Sequence, residues 1–184
     1  MNRMKTFASI AAAAAAITFG ALPAAAQLNA GTTAPLFSAQ AALGGDVKTF
    51  DLKAALARGP VVLYFFPKAF TSGCTTEAHA FSDHIAAFKK LGATVIGVSG
   101  DDIATEKKFS TQECRSNFLV ASDPGVKIAK TYDAVILNMF ANRTSYVIAP
   151  NGKIVEAYTD GDPLPHIDKA LKALRALKAK SSSV

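Results

Sequence analysis

The sequence predicts an α/β domain with a central mixed sheet, flanking helices and a hairpin added on the N-terminal side. Three observations carry this reading. Residues 61–66 are an unbroken apolar run, the character of a strand buried on both faces, and 93–99, centred on Val95, Ile96 and Val98, read as a second buried strand. Between them Ala78, Phe81, Ile85 and Phe88 recur at three- and four-residue steps, so strand, helix and strand form a parallel crossover unit. Later, residues 144–148 and 153–158 flank Pro150, Asn151 and Gly152, a hairpin signal, before a final helical pattern.

Each element follows in order. Arg3 and Lys5 form a basic head, an Ala-rich apolar run follows, and Ala24-Ala25-Ala26 offers a small-residue cleavage site before Gln27. Residues 1–26 therefore read as a secretory signal peptide, and the protein as periplasmic or otherwise exported. An uncleaved anchor is the rival, because the run nears the lower length for a membrane span. Residues 36–42 and 47–50 flank Gly44-Gly45-Asp46 as a small hairpin. Asp51 caps a short helix over 52–57, which Gly59-Pro60 stops. The strand 61–66 is followed by a helix over 77–91, closed by Gly92, and by the strand 93–99. Asp101 or Asp102 caps a helix running to about residue 114. Residues 117–121 are extended, and 126–132 form a short helix after Asp123-Pro124-Gly125. The hairpin of 144–158 comes next, and Pro163 or Pro165 opens a last helix to about residue 178. This order is that of a thioredoxin-like fold. Residues 27–180 read as one such domain and 181–184 as a frayed tail.

Composition excludes several classes. Without Arg3 and Lys5 the chain keeps 18 basic and 14 acidic residues, a mild excess. No window interleaves dense basic residues with aromatics, so nucleic acid is not an expected partner. No further apolar run is long enough to cross a bilayer, so no stable membrane insertion is expected after cleavage. His79 and His84 are five apart and His166 is remote, a poor metal set, and no metal or other cofactor is expected. Lys169, Lys172, Arg175 and Lys178 form the solvated face of a helix whose other side carries Ile167, Leu171, Leu174 and Leu177. Met139 and Phe140 are expected in the core or as a wall of the site. No Gly-rich phosphate loop and no Ser-His-Asp order is present.

Chemistry concentrates at the end of the first buried strand. Cys74 follows Pro67-Lys68-Ala69-Phe70-Thr71-Ser72-Gly73, where the strand ends and a helix begins. Helix-start N–H groups are unpaired and carry partial positive charge, which favours the reactive thiolate. Two cysteines in an exported protein usually form a structural disulfide. That use does not require a cysteine at a strand–helix junction behind Pro and Thr.

The pattern Pro67-x-x-x-Thr71-x-x-Cys74 resembles the active-site signature of peroxiredoxins, and most closely the bacterioferritin comigratory protein or Q type. Residues 31–37, 59–67, 122–125 and 142–148 resemble other segments of that family in the same order, so the likeness covers about residues 31–179. It implies a thiol-dependent peroxidase reducing hydrogen peroxide and organic hydroperoxides. Cys74 would be the peroxidatic cysteine, passing through a sulfenic acid. Thr71 would hold the peroxide and bond the thiolate, Pro67 would shield the sulfur, and Arg143 would face it from a distant strand. Glu77 reads equally as a favourable charge near a helix start or as part of this network. A dithiol reductant protein is the implied partner, and the assembly is expected to be a monomer or weak homodimer.

Ionisation alone gives such a site little. A thiol of pKa about 8.5 is about 3% thiolate at pH 7, and one of pKa about 6 is about 90%. The gain of about 30-fold is largely offset by lower nucleophilicity, at a Brønsted slope of about 0.4–0.5. The rate must come mainly from alignment and from stabilising the departing oxygen. Many Q-type relatives carry a resolving cysteine five positions after the first, where this chain has His79. Other relatives place it near the end of the following helix, which fits Cys114. The resemblance therefore implies Cys114 as an intramolecular resolving thiol. A disulfide needs its Cα atoms within about 7 Å, so both helix ends are expected to unwind for the bond to form. A one-cysteine enzyme and an intermolecular bridge remain open. So do a thiol–disulfide oxidoreductase, against which stands the absence of C-x-x-C, and a redox sensor or holdase.

Overall fold

The computed structural model describes residues 27–181. The expected leader, residues 1–26, and residues 182–184 of the expected tail lie outside the described residues. A seven-stranded mixed sheet runs in the order β2-β1-β5-β4-β3-β8-β9. Its outer hairpin, β1 (Ser38–Leu43) and β2 (Asp46–Asp51), turns at Gly44 and Gly45, both at positive φ (57° and 88°). Leu43 pairs with Asp46, so this is the two-residue turn for which glycine is suited. Asp51 then caps α1 (Leu52–Leu56) by accepting the Ala54 N–H at 2.7 Å.

β3 (Val61–Phe65) is the central strand, parallel to β4 (Thr94–Ser99) and antiparallel to β8 (Thr144–Ile148). Its alternation feeds two cores. Val61, Leu63 and Phe65 pack with Leu52, Leu56, Tyr132 and Tyr146 on one face. Val62, Tyr64 and Phe66 pack with Phe81, Phe88, Phe109, Phe118 and Leu171 on the other. A fully buried large apolar side chain contributes about 1.5–3 kcal/mol, so two filled faces explain the unbroken apolar run. Both cysteines lie in the second core, as free thiols.

The chain departs from the sequence reading at several elements. The helix after β3 begins at Ser72 rather than 77, because Ser72-Gly73-Cys74-Thr75-Thr76 shows no apolar period to mark it. It is also two helices, α2 (Ser72–Asp83) and α3 (Ile85–Lys90), parted at His84, where φ is −100° and ψ 6°. The His84 ring Nδ1–H turns back onto the Ala80 carbonyl at 2.9 Å. α4 (Ile103–Gln112) is capped by Asp102 and leads to β5 (Leu119–Ser122), parallel to β4. α5 (Lys127–Thr131) has its first N–H groups taken by the Asp123 carboxylate at 3.0 Å. A further hairpin, β6 (Val135–Ile136) with β7 (Phe140–Ala141), turns at Leu137 and Asn138, both at positive φ. Leucine is no turn signal, so the sequence hid it. Met139 is 67% and Phe140 44% exposed, so neither belongs to the core. β9 (Ile154–Thr159) completes the sheet, and α6 (Leu164–Ser181) runs one residue into the expected tail. Among the described residues no helix is long and apolar enough to cross a membrane.

Candidate active site

Sheet register brings the two ends of the site together. β3 and β8 pair antiparallel with Phe65 opposite Thr144. One step further along, Arg143 lies at the C-terminal end of β3, where residues 66–71 lead into α2. Thr71 is the N-cap of α2, and Cys74 is its third residue. The first-turn N–H groups of Ser72, Gly73 and Cys74 have no acceptor within the helix. The Thr71 side chain does not cap them.

Arg143 Nη2 lies 3.5 Å from Cys74 Sγ. Its Nη1 pairs with Glu77 Oε2, and Glu77 is fully buried. Glu77 is thus paired with the guanidinium beside the sulfur. Because α2 starts at Ser72, Glu77 lies beyond the first turn, away from the helix start where it was expected to act as a favourable charge. Burial pushes the Glu77 carboxyl up, while the adjacent guanidinium acts against that through charge and hydrogen bond. Gly73 matters here as well. A Cβ at that position would lie 3.0 Å from Arg143 Nη2, so the guanidinium uses the space a side chain would fill. Behind Glu77 sits His166, fully buried. Its Nε2–H donates to the Asp160 carbonyl at 3.1 Å, and the Ser145 hydroxyl donates to Nδ1 at 2.6 Å. Burial holds the ring down at a pKa of about 4, so it is neutral at pH 7. Glu77 Oε1 lies 4.0 Å from Nδ1 and has no hydrogen-bond partner among the described residues.

The other expected residues divide. Pro67 is half-buried at the exit of β3. Thr71 is exposed, and its hydroxyl donates to the Lys68 carbonyl at 2.9 Å. The thiolate bond expected of Thr71 is not made in this arrangement, because a hydroxyl has one proton and Lys68 takes it. Phe70 has φ 63°, a left-handed conformation costing on the order of 1–3 kcal/mol for a bulky residue. Its ring packs edge-on to Phe109 at 5.3 Å. Cys114 lies just past Glu113, the C-cap of α4, and is fully buried. Burial first, then the Glu106 and Glu113 charges, push its thiol far up. Its N–H donates to the Phe109 carbonyl at 3.0 Å, and its own carbonyl accepts the Ser82 hydroxyl at 3.1 Å. On either side, Glu113 pairs with His79 at 2.8 Å and Arg115 with Asp83.

A family model described as the AhpC/TSA family matches residues 30–157. The chain belongs to the AhpC/TSA family. Among curated members, the chloroplastic peroxiredoxin Q of Populus jackii is 37% identical over 155 residues, which is 83% of this chain and 70% of the relative. Peroxiredoxin Q of Sedum lineare is 35% identical over 156 residues, 83% of this chain and 81% of the relative. Among solved structures, peroxidoxin BcpB of Mycobacterium tuberculosis superposes with a TM-score of 0.73 at 30% identity, over 80% of this chain and 96% of that one. AhpC of Mycobacterium tuberculosis superposes at 0.75 with 23% identity, over 84% and 96%, and shows the shared fold. As an AhpC/TSA member the chain has the thioredoxin-like fold and is a thiol-dependent peroxidase of the peroxiredoxin Q kind. Gly73, His166 and Ser145 were not identified as neighbours of the charge pair from sequence. The glycine before Cys74 was the available signal for the first; nothing local marks the other two.

Proposed function

We propose that Cys74 is the peroxidatic cysteine and that Arg143, held by Glu77, is its electrostatic partner. The observation that carries this is the guanidinium 3.5 Å from the sulfur, brought there from 69 residues away. The thiolate attacks one oxygen of a hydroperoxide, the O–O bond breaks, and the second oxygen leaves with the electron pair and takes a proton. Sulfenic acid and water or an alcohol result. Arg143 balances charge on the sulfur before attack and on the departing oxygen after it. The first-turn amides of α2 add donors at the same place. Pro67 limits water at the sulfur. Thr71 keeps acceptor lone pairs for the hydroperoxide O–H while Lys68 holds its own proton.

Cys114 then attacks the sulfenic sulfur, expelling water and forming an intramolecular disulfide, which a dithiol protein reduces. The basic head, Ala-rich run and Ala24-Ala25-Ala26 support export, so that dithiol belongs to an exported or membrane-relayed carrier. A monomer or weak homodimer is the expected assembly. Mass spectrometry after one equivalent of hydrogen peroxide tests the chemistry. The parent should lose two hydrogens, with Cys74 linked to Cys114. Cys114→Ser should gain one oxygen on Cys74 and stop after one turnover with a dithiol donor. Undiminished multiple turnover in that variant removes Cys114 from the cycle, and an unreacted Cys74 removes the assignment.

A further inference from the structure

The turn from β4 into α4 grips the loop leading to Cys74 through a polar cluster separate from the Arg143–Glu77 pair. The Ala69 N–H, in the middle of that loop, donates to Asp101 Oδ2 at 2.7 Å. The Ser99 hydroxyl lies 2.8 Å from the same Oδ2 and 2.6 Å from Glu106 Oε1, and it accepts the Asp101 N–H at 3.1 Å. The Ser122 hydroxyl donates to the Asp101 carbonyl at 2.7 Å, tying this turn to β5. Ser99 and Glu106 are fully buried. Glu106 Oε2 has no hydrogen-bond partner among the described residues.

Counting protons decides the state of this cluster. One hydroxyl proton cannot serve two carboxylates. With both ionised, one of the two short contacts would set lone pair against lone pair in a medium that screens poorly. A proton on Glu106 resolves the conflict. Glu106 O–H then donates to Ser99 Oγ, Ser99 donates to Asp101 Oδ2, and the Ala69 N–H closes the chain. The buried carboxyl is the one cheaper to keep neutral.

We propose that Glu106, in its protonated form, is a positioning residue for the peroxide site, acting through Ser99 and Asp101 to hold Ala69 and the backbone that presents Thr71 and Cys74. Its effect on rate rests on the peroxidase reading; the contact does not. Phe109, on the next turn of α4, adds a second grip through the Phe70 ring. Burial raises the Glu106 carboxyl to about 8; Ser99 opposes this, and the Asp101 and Asp102 charges add to it. The ionisable groups facing Glu106 are Asp101 and Asp102 from the start of α4, Cys114 beyond its end and Tyr64 from β3. All are acids, so none of these groups, among the described residues, offsets its ionisation. Tyr64 and Cys114 are pushed far upward by burial and keep their protons through pH 9.

The test follows the Ala69 amide by NMR in the reduced, nitrogen-15-labelled chain from pH 6 to 9. Glu106→Gln preserves shape and donates to Ser99 at every pH; Ser99→Ala cuts the chain with a small, core-compatible change. In the parent the Ala69 proton should shift with a midpoint near pH 8, and in both variants that shift should vanish. Single-turnover peroxide reduction at pH 7 should match the parent in Glu106→Gln and fall about three- to tenfold in Ser99→Ala, the loss of one ordinary hydrogen bond. A parent resonance insensitive to pH, or one that moves alike in Glu106→Gln, overturns the proposal. If the Ala69 shifts appear as stated and none of the proteins reduces peroxide, the peroxidase reading is what fails.

Discussion

Removing Arg143 separates two explanations of reactivity. At 3.5 Å, and with an effective dielectric of about 20, two unit charges interact by about 5 kcal/mol. That is the ceiling for what Arg143 contributes when the transition state concentrates charge on the sulfur and the departing oxygen. Glu77 on its far side lowers the figure, and losing one preorganised donor costs about 10²–10³ in rate. If the guanidinium served only to ionise the thiol, the loss would be smaller and reversible. An ordinary thiol is about 3% ionised at pH 7, so ionisation alone accounts for at most about 30-fold, and that deficit closes by pH about 9.5. Arg143→Ala should therefore reduce hydrogen peroxide about 10²–10³ times more slowly at pH 7 and remain about tenfold or more slower at pH 9.5. Stopped-flow single turnover across that range measures it. The variant leaves Glu77 buried and unpaired, which costs about 3–5 kcal/mol, so the double variant with Glu77→Gln is the folded control. Full recovery of the rate at pH 9.5 would refute the reasoning.

Two further outcomes follow from the surroundings of the pair. Gly73→Ala should keep or raise stability, since alanine favours a helix over glycine by up to about 1 kcal/mol, yet slow peroxide reduction by about tenfold. The new Cβ would lie 3.0 Å from Arg143 Nη2, so the guanidinium would have to give by a few tenths of an ångström and loosen its contact with the sulfur while keeping Glu77; an unchanged single-turnover rate contradicts this. His166 is a buried base whose folded pKa, about 4, lies below its ordinary 6.5. The unfolded chain binds the extra proton between those values, so this contribution is complete above pH 6.5 and is lost as pH falls toward 4. It amounts to about 3 kcal/mol, and Glu77 and Glu106, shifted upward, act in the opposite direction as pH rises. Urea unfolding at several pH values should therefore show a flatter acid limb in His166→Asn than in the parent; parallel limbs would count against it.

Much of the fold was legible because burial leaves simple marks. β3 is filled on both faces and reads as an unbroken apolar run, and β4 carries Val95, Ile96 and Val98 at its centre. The Gly44-Gly45 turn and the Asp51 and Asp102 caps carry their chemistry in single residues. What was hidden had no such mark. The start of α2 is polar, and the β6–β7 turn uses a leucine where glycine or asparagine is usual. At the site, position and motif indicated Cys74 and Arg143, but no local pattern announces that Glu77 is swallowed, that His166 stands behind it, or that Asp101 holds Ala69. Those depend on which strands lie side by side, and so on contacts between residues far apart in the chain. Thr71 shows the converse: the motif identifies the residue, while the backbone carbonyl of Lys68 determines where its proton points.

The segment around Cys114 has a consequence for the energetics of turnover. Its backbone is bonded at both N–H and C=O, and ion pairs pin the residues before and after it to α2. A cross-link usually tightens a protein. On the role proposed for Cys114, the second sulfur would have to give up these bonds to reach the first, so the linked form would be the looser of the two. Reduction by a partner would then let those contacts re-form, so conformation would favour the return to the dithiol state.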